Sequence, residues 1–146
     1  NGVGGIGDLQ IRLAVYDRLR EAGFHLPTVI HPTACIEKNA ELADAIQAFA
    51  FAYIGVDSRV GFGTIINTGT IISHNCTLGP FVNISPGATL AGGVNVGEKT
   101  LIGMRATVNL YVNIGKGVRI GNGATVKEDV PDGTIIPAGS IWPPRR

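Results

Sequence analysis

Charge, aromatic side chains and cysteine are all scarce in this chain. Charged residues make up 16% and aromatics 6% of 146 positions, and the formal net charge is +1. So weak a global field draws the protein neither to nucleic acid nor to a membrane surface. No apolar run approaches the ~18 residues of a membrane span, and no N-terminal stretch reads as a secretory signal. Two cysteines, Cys35 and Cys76, are too few for a disulfide framework. A cytoplasmic protein is therefore expected. The chain opens at Asn1 rather than Met, which suggests a portion of something longer.

Glycine, by contrast, is abundant at 21 residues, without the Gly-X-Y period of collagen. Such a composition directs attention to internal repeats. Stepping by six from Ile30 through Ile36, Leu42, Ala48 and Ile54 as far as Val126, every position is aliphatic. Four places further on, from Ala34 to Val130, every residue but Ile46 is small or β-branched. The place just after the aliphatic is often glycine, as at Gly55, Gly61, Gly79, Gly97 and Gly115.

This period fits neither an α-helix nor an alternating strand. It fits a short strand and a corner, with one aliphatic side chain turned inward per strand. Repeats of this kind build parallel β-helices, with coils of about 18 residues stacked about 4.8 Å apart. Residues 30–130 hold roughly five to six such coils, a prism roughly 27 Å tall. Cys76 falls in an inward slot for a small residue and reads as a buried, inert thiol. Before the repeat, "GDLQIRLAVYDRLREAG" predicts a short α-helix, with Asp8 as cap, Leu9, Leu13 and Tyr16 on one face and Gly23 as terminator. After it, residues 131–146 are turn-rich and are expected to cap the open lower edge. "GVGGIG" matches a dinucleotide fingerprint, but no strand precedes it and no βαβ unit follows, so that reading is set aside.

The stretch "IISHNCTLGP" breaks the monotony. His74 lies two places after Ile72, at a corner whose side chain points outward. An imidazole there can take a proton at neutral pH, and acyl transfer needs such a base. The plain alternative is a surface histidine tolerated at a turn. Gly92 occupies the same corner one coil further on, where its backbone N–H is accessible to a tetrahedral oxyanion.

"IGD" before the helix, "HPTA", "NTGTIISHNCTLGPFVNISPGATLAGGV" and "VKEDVPDG" together resemble the NeuD-like sialic acid and sugar O- or N-acetyltransferases. That family of hexapeptide-repeat enzymes includes those acetylating nucleotide-linked 4-aminosugars. The resemblance implies a left-handed β-helix over residues 30–130, preceded in 1–29 by the remnant of a nucleotide-sugar-binding domain. It also implies a homotrimer that binds acetyl-CoA between neighbouring subunits, without a metal. The left hand rests on the resemblance alone, since parallel crossovers generally run right-handed.

By the same resemblance His74 is the general base and Gly92 the oxyanion donor. Asn83 matches a position that contacts the acetyl group, while Met104 and Asn122 match positions lining the coenzyme. Asn75 departs from the family, in which an acid usually follows the histidine. An amide oxygen can orient the ring but lends no full charge to imidazolium. The usual "G-x-P-A" tail is replaced by "IPAGSIWPPRR".

Lys116, Arg119, Lys127 and Arg145–Arg146 could meet coenzyme phosphates, though surface charge for solubility is the simpler account. The outward Ile65, Ile71, Phe81 and Leu101 are too many for bare faces, which predicts a buried trimer interface. A zinc hydratase on this scaffold needs three converging histidines, and beyond His31 at its entry the repeat holds only His74. The stronger rival is a non-catalytic repeat scaffold in which His74 is incidental. Which sugar is acetylated, and on which atom, is not written in these residues.

Overall fold

A computed structural model describes residues 9–144. Helix α1 (Leu9–Glu21) comes first, and the rest is a parallel β-helix of about six turns built from two-residue strands. The strands form three sheets, the faces of a prism. The first face runs from Val29–Ile30 to Ile135–Ile136, the second from Cys35–Ile36 to Ile141–Trp142, and the third from Glu41–Leu42 to Asn113–Ile114. As far as the last coil, each strand pairs with the one 18 residues on, as Ile54 with Ile72 and Ile72 with Leu90.

The predicted inward column is the core. Ile54, Ile66, Ile72, Ile84, Leu90 and Ile102 have no measurable exposure, and each such side chain contributes about 1.5–3 kcal/mol by leaving water. The small slot four places on is equally dry. Where it holds a hydroxyl, that group donates to a carbonyl of the next coil: Ser58 to Ser73 O (2.9 Å), Thr70 to Ser85 O (3.3 Å), Thr100 to Gly115 O (2.8 Å). Cys76 uses the slot in the same way, its Sγ 3.3 Å from Ala91 O. Burial pushes its thiol pKa up, so it stays protonated and unreactive.

The third corner position has a property that the residue pattern did not announce. It is left-handed from coil to coil, in glycines such as Gly69 and Gly93 and equally in Asn75, Phe81, Arg105 and Tyr111. For a residue with a Cβ this conformation costs roughly 1–2 kcal/mol. The backbone partly compensates, because the N–H at this position bonds to the preceding coil, as Asn75 to Val56 O (2.9 Å) and Gly93 to His74 O (2.9 Å).

Two expectations about the ends need correction. Val130 is not a small corner residue: it bridges to Ile114, and Ile135 pairs with Arg119, so the last coil spans 16 residues rather than 18. Asp129 and Asp132 bridge the shortened corner by accepting the N–H groups of Asn113 and Lys116, each at 2.7 Å. The first of these bonds, together with the Asn113 side chain, holds the Asp129 carboxyl below the usual range. Residues 131–144 therefore wind on as solenoid instead of forming a separate segment. Trp142 packs against the core from below and donates Nε1–H to Asp129 O at 3.0 Å.

Helix α1 ends as predicted. Gly23 is left-handed, its N–H meets Arg20 O, and the Phe24 N–H returns to Leu19 O, the paired bonds of a Schellman stop. Asp8 lies outside the described residues. Tyr16 is buried as expected, but its buried partner is Arg12, with Leu9 and Leu13 half-covered. The Arg12 guanidinium donates to Gly63 O and lies over Tyr16 and Phe81, 5.4 and 5.8 Å from the ring centroids. Tyr16, Phe62 and Phe81 meet edge to face at 5.5–5.9 Å. Two of the four supposed interface residues are thus covered within the chain. Ile65 is 1% exposed and Phe81 belongs to this cluster; Leu101 is half-buried and Ile71 remains 45% exposed.

Neighbouring residues of one strand should respond oppositely to truncation. Leu78→Ala, in the inner column, is expected to cost about 2–5 kcal/mol, and Thr77→Ala, on the exposed side, no more than about 0.5 kcal/mol. Urea unfolding of the two variants checks the inward register.

Candidate active site

The corner between the second and third faces carries His74. The strand Ile71–Ile72 enters it and Thr77–Leu78 leaves it, so the ring is fixed by backbone on both sides and exposed at the edge. Its Nδ1 lies 2.8 Å from Asn75 Oδ1. An amide oxygen only accepts, so the bond takes its proton from Nδ1, and in the neutral ring the lone pair is then on Nε2. Asn75 can turn its side chain back because it is left-handed, at φ 57°, a region that Asn tolerates better than most residues.

Beneath the ring lies Gly92. A Cβ there would stand 2.5 Å from both Cε1 and Nε2 of His74. Glycine is required for space, and the imidazole occupies that space. The Ala91 N–H is used on Val108 O and the Gly93 N–H on His74 O; the Gly92 N–H takes no part in the backbone ladder among the described residues. Base and unspent donor thus share one edge.

The other candidates lie elsewhere on the prism. Asn83 is on the first face, 8% exposed, and its Oδ1 has no partner among the described residues. It lines a cleft of about 420 Å³ with Arg12, Phe81, Lys99 and Leu101. Met104 and Asn122 share the corner between the first and second faces, where Asn122 Oδ1 accepts the Met104 N–H at 2.9 Å. Both line a cleft of about 580 Å³ with Pro86, Gly103, Ile135 and Ala138. Neither cleft includes His74, Asn75 or Gly92. Arg119 lines both clefts, whereas Lys116 is engaged by Glu98 at 3.7 Å. Lys127 is exposed and Arg145–Arg146 lie outside the described residues. No group of three or more His, Cys, Asp or Glu among the described residues is placed to hold a metal.

Solved acetyltransferases match this chain over most of its length. A GDP-perosamine N-acetyltransferase from Caulobacter crescentus, in complex with CoA and GDP-perosamine, is 35% identical with a TM-score of 0.88, over 92% of this chain and 64% of that one. The acetyltransferase domain of PglB from Neisseria gonorrhoeae is 34% identical with a TM-score of 0.88, over 92% and 65%. WeeI from Acinetobacter baumannii shares the fold at a TM-score of 0.82 and 24% identity, over 86% of this chain and 62% of that one. This chain spans about two thirds of the length of these acetyltransferases. No protein-family model and no curated protein matches it.

Sequence reasoning located His74, Asn75 and Gly92 on one edge but overlooked their neighbours. Gly93 and Tyr111 complete that edge, and the doubled glycine "GG" was the available signal. Gly92→Ala should push the imidazole off its seat while leaving the fold intact, because the collision is with a side chain that can swing away. A kcat loss of about 100-fold is expected for a displacement near 1 Å, with an unchanged unfolding midpoint. Steady-state kinetics and thermal melts check both halves.

Proposed function

We propose that this chain is the β-helix portion of an acetyl-CoA-dependent acetyltransferase acting on the amine of a nucleotide-linked aminosugar in bacterial surface-glycan biosynthesis. The observation that carries the reading is the His74 imidazole, its Nδ1 engaged by Asn75 and its Nε2 above Gly92. That it occurs on the fold of N-acetyltransferases held with CoA and GDP-perosamine supports the assignment.

The sugar amine attacks the thioester carbonyl carbon. As the C–N bond forms, His74 Nε2 takes the amine proton, and the oxyanion is met by the Gly92 N–H. The C–S bond then breaks, and the imidazolium returns the proton to the departing CoA thiolate. Asn75 acts by holding the tautomer. Asn83, Met104 and Asn122 serve the acetyl group and the coenzyme arm, with Arg119 within reach of its phosphates.

The active species is a homotrimer in this reading. His74 and the Met104–Asn122 cleft lie on different edges of one prism, so a coenzyme reaching both is best held between two copies. Val56, Ile71, Phe49, Phe51 and Met104, all exposed and apolar, flank the second face and favour its burial. No helix among the described residues is long and apolar enough to cross a membrane, and a cytoplasmic enzyme using soluble acetyl-CoA fits that.

His74→Ala in the complete protein should lower kcat at least tenfold, within the roughly 10²–10⁴ range of general-base effects, and leave acetyl-CoA affinity intact. A smaller loss removes His74 as the base, and failure of the wild type to bind acetyl-CoA favours a scaffold instead. Light scattering should give three copies; a fully active monomer would contradict the shared site. Asn75→Asp adds the missing charge. A carboxylate favours imidazolium, so the acidic limb of the kcat/KM profile should move to higher pH and the rate above it should rise. An unmoved profile takes Asn75 out of the catalytic set.

A further inference from the structure

Nothing so far assigns a residue to the acceptor, and the His74 edge continues to Tyr111. Gly92 and Gly93 are consecutive, and each receives a ring from a different coil. His74 descends over Gly92 from the coil above. Tyr111 rises over Gly93 from the coil below, its Cδ1 2.5 Å from where a Gly93 Cβ would be. The two rings therefore lie against consecutive residues of one corner, whose α-carbons are about 3.8 Å apart.

Tyr111 holds this place at φ 60°, where glycine would sit without strain, as Gly93 does one coil earlier on the same edge. Phe81 shares the conformation, but its ring is anchored against Tyr16 and Phe62. The Tyr111 ring has no such anchor and is 70% exposed. Phe51 is as left-handed and as exposed, so what singles out Tyr111 is its seat on Gly93, on the edge that carries His74.

We propose that Tyr111 is a positioning residue for the acceptor, its ring forming the wall on which the C–H face of the sugar rests while the amine meets His74 Nε2. This rests on the acetyltransferase reading above. A rigid aromatic plane suits a pyranose face, which is itself flat and apolar on one side. A flexible coenzyme arm needs a groove, and the cleft beside Met104 and Asn122 supplies one at the other edge.

The test uses the complete protein with acetyl-CoA and GDP-perosamine, and the variants Tyr111→Gly and Tyr111→Phe. Tyr111→Gly should raise the acceptor KM about fivefold or more, leave the acetyl-CoA KM within about twofold, and melt no lower than the wild type, since the backbone strain is relieved. Tyr111→Phe keeps the plane and should behave as wild type. An unchanged acceptor KM, a rise confined to the acetyl-CoA KM, or dissociation of the assembly on light scattering overturns the proposal while leaving the proposed function standing. A wild type that transfers no acetyl group to GDP-perosamine or to any other nucleotide-linked aminosugar offered overturns both.

Discussion

The 18-residue stacking of coil on coil is the constraint on which everything else depends. Each backbone N–H in a strand reaches the coil beside it, and each inward aliphatic rests on its equivalent above and below. A parallel ladder repeated in this way fixes the radial direction of every side chain by its place in the hexad. Stability is then a sum of neighbour contacts, with no distant element required. The same rigidity lets corners tolerate left-handed side chains, because the surrounding ladder over-determines them.

Chemistry follows from that geometry with little further adjustment. Two side chains 18 residues apart are stacked neighbours, so His74 and Gly92 meet without a mobile loop. Removing a single Cβ creates the seat for the imidazole, and an adjacent amide sets its tautomer. Preorganisation of this kind costs nothing at the moment of reaction. The price is that one prism cannot bring its separate edges together.

Much of this was legible in the residues because the period is exact over seventeen repeats of the inner position. The inward column, the dry slot of Cys76, the Gly23 stop and the His74–Gly92 stack all follow from counting. What escaped counting was decided by contacts across the repeat or outside it. Arg12 is buried because a carbonyl of Gly63 and two aromatic rings receive it, and no helical periodicity places an arginine inward. Ile65 and Phe81 looked bare because the pattern shows which way a side chain points, not what lies over it. The left-handed corners were hidden by their variety: Phe, Asn, Arg and Gly share one backbone conformation. The two-residue shortening near Val130 was masked because valine suits either slot.

That shortening bears on how the molecule avoids its own kind. A stack of identical coils is an open template, and another prism could in principle add to it end on, as a fibre grows. Below Val126 the frame is displaced by two residues, and an indole lies across the inner column. The last coil keeps the inner column in register, Ile136 on Ile120 and Trp142 on Val126, so an incoming coil would meet an indole where the stack otherwise presents an aliphatic. Among the described residues this lower face is thus a poorer template for a further coil than the regular coils above it, and the sides of the prism are the more regular surfaces for association.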